Sequence, residues 1–127
     1  MHYRFQSAQD HLRAELIGRQ TVEETLQFIA ALVAAAREHS ATRILIWVRS
    51  SRPIFKVEQY KLSEQFRQLA AMPQVRVALL ADADEVRASH QYIEVLAGQQ
   101  GARVRAFREE ARALAWLREE MRAQSQE

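Results

Sequence analysis

The chain has 127 residues, 48% of them hydrophobic and 27% charged, with a formal net charge of +2 and no cysteine. A single domain of this length buries a core without metal or disulfide staples. The lack of cysteine excludes a disulfide framework, a thiolate nucleophile and sulfur-ligated zinc, in keeping with a reducing compartment. The densest arginine cluster, Arg103, Arg105, Arg108, Arg112, Arg118 and Arg122, is interleaved with Glu109, Glu110, Glu119 and Glu120. Those carboxylates cancel much of the field that phosphate binding needs, so nucleic acid is not an expected partner.

The opening segment MHYRFQSAQDHLRAEL has no long apolar h-region and reads as no signal peptide. No run approaches the roughly 20 apolar residues of a membrane span. The expected location is therefore cytoplasmic.

In chain order, Tyr3 to Phe5 and Leu12 to Leu16 carry apolar residues at every second position, the period of a strand with one wet face. Residues 7–10 form a short polar connection between these strands, and Gly18 ends the second. The segment TVEE then supplies a capping box of Thr21 and Glu24, which predicts a helix running to about His39 with Val22, Leu26, Ile29, Val33 and Ala36 on its buried face. RILIWV, 43–48, is apolar on both faces beyond Arg43, and VRVALLA, 75–81, reads almost the same. Both predict inner strands covered on two sides. ARVRAF, 102–107, alternates arginines with apolar residues and predicts an edge strand.

Two helical stripes lie between these strands. Phe55, Leu62, Phe66 and Leu69 form one, stopped by Pro73. Val86, Ile93 and Leu96 form the other, with Asp82 or Asp84 as the expected cap and Gly98 or Gly101 at the exit. A last helix opens on Glu109 and Glu110 and carries Arg118 and Arg122 near its end, an order that complements the helix dipole. The prediction is a single α/β domain over residues 1–123, order ββαβαβαβα, with a frayed tail over 124–127. Its five-stranded sheet is mixed but mostly parallel, carries four helices and has its first strand antiparallel at one edge.

This order, with the closing segment VRAFREEARALAWL (104–117), resembles the small stand-alone SpoIIAA-like proteins, relatives of the STAS domains. The resemblance rests on a late strand ending in an aromatic residue, Phe107, followed by acidic residues and a helix ending in Trp116 and Leu117. VRVALLADADE, with an acidic residue just past its strand, is similar to the family's fourth strand. The resemblance implies a STAS-like fold and a role in binding rather than catalysis. Antagonists of the superfamily carry a phosphorylatable serine at the start of the helix after the third strand. The matching place here is Phe55 and Lys56, and Ser50 and Ser51 follow Arg49 rather than an acid, so no phospho-switch is expected.

VRSSRPIF, 48–55, is the segment that invites a functional reading. Loops at the carboxyl ends of parallel strands bind ligands, and Arg49, Ser50, Ser51 and Arg52 suit an anion at a helix N-terminus. The plainer reading makes Ser51 a helix cap and Pro53 the first-turn residue. Asp82 and Asp84 are expected at the same end of the sheet, facing Ser50, Ser51 and Arg52. Tyr60, with Val57, lies off the buried stripe and would offer a contact patch. Trp47 and Trp116 are expected to be buried. His2, His11, His39 and His90 form no close pair. His90 and Glu94 share a helix face, two ligands where zinc needs three or four. There is no Walker loop or Gly-x-Ser-x-Gly frame.

These readings predict a non-enzymatic binding or regulatory domain without cofactor or metal. It would work through protein contacts, with a partner or with a second copy as a dimer. The alternative is a carrier of a small apolar, lipid-like or anionic ligand. The discriminating feature is volume, because a carrier needs an empty apolar cavity beneath the first helix.

Overall fold

A computed structural model describes residues 1–54 and 56–125. Phe55 lies outside the described residues, as do the Val57 side chain and residues 126–127 of the expected tail. Five strands, β1 (His2–Ser7), β2 (Leu12–Ile17), β3 (Arg43–Arg49), β4 (Arg76–Ala81) and β5 (Arg103–Ala106), form one sheet in the order β1-β2-β3-β4-β5. β1 runs antiparallel to β2 and every other pairing is parallel. The helices are α1 (Val22–Glu38), α2 (Lys56–Gln59), α3 (Ser63–Ala70), α4 (Asp84–Gln99) and α5 (Glu110–Ser125). The single helix expected between β3 and β4 is α2 and α3 joined by a 3-10 turn, Tyr60–Leu62.

The sheet order decides where the helices go. Each crossover from β2 to β5 advances one strand in the same direction, so crossovers of one hand must all lie on the same face. Side chains from α1, α3 and α4 accordingly share one core with Leu12, Ala14, Leu16, Ile44, Ile46, Val48, Val77 and Leu79. On the opposite face, Ala113 and Leu117 of α5 pack on Leu45, Ala78 and Leu80. The two inner strands are thus covered on both sides, as their unbroken apolar runs predict, and every residue of β4 is buried. β1 and β5 are the edges, and Arg103 and Arg105 of β5 face solvent.

Local chemistry accounts for the element ends. Thr21 caps α1: its hydroxyl accepts from the Glu24 amide at 3.2 Å, and the Glu24 carboxylate accepts from the Thr21 amide at 3.2 Å. The buried stripe of α1 is Val22, Thr25, Phe28, Ile29, Leu32, Val33 and Ala36, whereas Leu26 is only half-buried. The predicted face is therefore the buried one, widened by Thr25, Phe28 and Leu32, with Leu26 packed at its margin. Phe28 meets the Phe5 and Tyr3 rings of β1 at centroid distances of 5.9 and 5.8 Å, which extends the packed face of the helix toward the sheet edge.

Candidate functional site

The β3–α2 loop holds Ser50, Ser51 and Arg52. Ser50 sits in the left-handed region with φ of 49°, uncommon for a residue with a side chain. Its amide donates to both carboxylate oxygens of Asp82, at 3.1 and 3.3 Å. Ser51 Oγ accepts from the Arg19 amide at 3.0 Å and donates to the Arg49 carbonyl at 2.8 Å. The Arg52 amide donates to the Arg19 carbonyl at 2.9 Å. The loop is thereby tied to the β2–α1 connection and to the end of β4. An anion offered to these amides would find those of Ser50 and Arg52 taken, one of them by a carboxylate.

Neither of the two expected caps forms. Ser51 caps no helix, because α2 begins only at Lys56, and Pro53 lies ahead of its first turn. Neither Asp82 nor Asp84 caps α4: the N-cap is Ala83, which makes no side-chain bond. Asp82 is drawn instead to the Ser50 amide, which the left-handed turn presents to it. Asp84 is the first residue of α4 and pairs with Arg87, three residues on, with its side chain 85% exposed. It does not join the loop.

Arg49 lies on the face that α5 covers. Its guanidinium sits 4.3 Å from the centroid of the Trp47 ring and 3.4 Å from a Glu15 oxygen. Trp47 is half-buried rather than buried, and its Nε1 donates to Glu110 at 2.7 Å, beside Arg13 at 2.7 Å. These two donors hold the Glu110 carboxyl below its usual range. Trp116 is also half-buried and packs on Phe107 at 5.6 Å. Tyr60 is 65% exposed and lines, with Tyr92 and Val95, a surface groove of about 360 Å³.

A second site, not singled out in the sequence, lies inside the fold. Between the sheet and the helices α1, α3 and α4 is a cavity of about 50 Å³. Its walls include Leu16, Ile46, Val48 and Leu79 from the sheet and Phe28, Phe66 and Ile93 from the helices. Three polar residues join this lining: Arg19, Thr25 and His90. All three are buried, at 3%, 5% and 2% exposure. A second space of about 100 Å³ lies at the start of α1, lined by Gln20, Thr21, Val22, Arg52, Pro53 and Glu58. Arg19 and Ile54 line both spaces and so stand between them. Ile54 is fixed there, since its carbonyl accepts from Gln59 Nε2 at 3.1 Å and from Ser89 Oγ at 3.3 Å.

The electrostatics follow from burial. Desolvation, with the Arg19 charge nearby, pushes His90 down to about 3, so its ring is neutral at ordinary pH. Burial lowers Arg19 to about 10 against the opposing pull of Glu24, and it keeps its charge. Its guanidinium donates to the Arg52 carbonyl. A water needs about 10–15 Å³ of such space, and an engineered cavity that takes benzene measures about 150 Å³. The inner cavity therefore suits a small group rather than a long chain.

Among the described residues no three His, Asp or Glu side chains gather to hold a metal ion, and no helix is long and apolar enough to cross a membrane. No protein-family model, no curated protein and no solved structure matches the chain.

His90 and Thr25 did leave a trace in the sequence. His90 stands between Val86 and Ile93 on the stripe of α4, and Thr25 three residues after Val22 on that of α1. A polar residue at a core position is the signal. Arg19 left none, because an arginine after a glycine in a connection reads as solvated.

Proposed function

We propose that the chain is a non-enzymatic binding domain of SpoIIAA-like, STAS-like architecture, working in the cytoplasm, that carries a small and largely apolar ligand between its sheet and α1, α3 and α4. The carrying observation is the hollow itself. Protein interiors pack as densely as organic crystals, with few voids larger than a water. Here the space lies beneath α1, where a carrier requires it, and most of its lining is apolar. The STAS-like assignment is supported by the element order, by the antiparallel first strand, and by the passage from β5 through Phe107 into α5.

Native mass spectrometry of the protein purified from its own host tests this reading. A small molecule retained on the folded chain and released on unfolding is the expected result. A bare-chain mass under the gentlest conditions contradicts it.

The exposed Tyr60, Tyr92 and Val95 favour a second reading, contact with a protein partner or a second copy of the chain across their groove. Sedimentation of the wild type against Tyr60→Glu checks it. A wild-type dimer that the substitution dissociates supports self-association, and a monomer at every concentration removes it.

A further inference from the structure

We infer that the ligand of the inner cavity is a small carboxylate with a short apolar body, its head held by the Arg19 guanidinium, the Thr25 hydroxyl and the His90 ring. This rests on the carrier reading and names the chemistry of its ligand.

The Thr25 hydroxyl is the first ground. Its oxygen is sealed from solvent and makes no hydrogen bond among the described residues. A buried hydroxyl without a partner opposes folding, and native structures keep such groups rare. One that lines a cavity has its partner supplied when the cavity fills. Arg19 is the second ground. It is only 3% exposed, and no carboxylate lines the inner cavity beside it. Glu24, whose charge acts on Arg19, already accepts the Gln20 amide at 2.6 Å and the Thr21 amide at 3.2 Å. Of the five N–H groups of a guanidinium, one donates to the Arg52 carbonyl. A buried charge is costly unless paired, and a carboxylate accepts from such a fork with two oxygens.

His90 completes the set. Its ring is buried in the cavity wall, and a neutral imidazole presents one N–H donor. Thr25, Arg19 and His90 together therefore offer the cavity several donors and a single formal charge, which is positive. The outer space is lined by Arg19, Arg52 and Glu58, so the formal charge around it is positive as well. The two volumes fit a branched body of a few carbons in the inner space, with its head beside Arg19. A neutral ligand would leave the guanidinium uncompensated, and a cationic one would be repelled.

The test uses the intact chain, unfolded to strip bound material and refolded, then titrated with isovalerate and separately with its neutral amide, isovaleramide. Binding is read from methyl and His90 ring NMR shifts. Isovalerate should bind at least tenfold tighter, with shifts centred on Leu16, Ile46, Ile93 and the His90 ring. Thr25→Val keeps the side chain's shape and should weaken isovalerate several-fold, and the amide, whose oxygen is uncharged, by less. Arg19→Lys, which keeps the charge but not the fork, should narrow the preference. Equal binding of acid and amide inside the cavity would overturn the anionic head and leave the carrier reading standing. Failure of both probes to shift any cavity methyl would overturn the two together. Isovalerate binding that Thr25→Val does not change would remove the hydroxyl from the site.

Discussion

Thr25 interrupts an apolar stripe that otherwise runs from Val22 to Ala36. An unpartnered buried hydroxyl costs about 1–3 kcal/mol, so Thr25→Val should stabilise the ligand-free chain by about 1 kcal/mol in urea unfolding. A loss of that size would mean that the hydroxyl has a structural partner. His90 gives a second prediction with a defined sign. Its folded value of about 3 lies below the ordinary 6.5, so between those values the unfolded chain binds a proton that the native chain refuses. Stability is full above pH 6.5 and falls as pH drops toward 3. The lowered carboxyls of Glu15, Glu24 and Glu110 act with the same sign further into acid. Denaturation followed from pH 8 to 4 should show loss starting near 6.5 in the wild type. In His90→Gln the onset should move into the carboxylate range. An unchanged onset would contradict the burial of a neutral ring.

At the scale of elements, α5 supplies the described cover of the second face. Leu117 is 1% exposed against Leu45 and Leu80, and Leu117→Ala should cost about 2–5 kcal/mol by equilibrium unfolding. A cost below about 1 kcal/mol would mean that the face closes without it. Periodicity made most elements legible, because apolar spacing of two or of three and four is imposed by backbone geometry. It placed Val86, Ile93 and Leu96 on the inner side of α4, and β5 at an edge. It found the inner face of α1 but not its full width, since the contacts of Phe28 with Tyr3 and Phe5 are tertiary and no local pattern encodes them. Capping chemistry was legible at Thr21, where donor and acceptor lie three residues apart. It failed at Asp82, whose partner Ser50 is 32 residues away.

For the whole molecule, the apolar runs of β3 and β4 announced a sheet covered on both sides. The division of helices between its faces depends on strand order, which periodicity does not carry. The site divides in the same way. Asp82 meets Ser50, whereas Ser51 bonds Arg19 and Arg49, and Arg52 bonds Arg19, and these bonds hold the loop against the β2–α1 connection and the end of β4. The space for a ligand opens instead behind that loop, where Arg19 and Ile54 part the inner cavity from the outer one. The most direct measurement is a high-resolution crystal structure of protein taken from its host without an unfolding step. Continuous density that no protein atom explains should fill the space between Phe28, Ile46, Leu79 and Ile93 and reach Arg19 and Thr25. Side chains closing that space, with Thr25 bonded to the protein, would contradict the account.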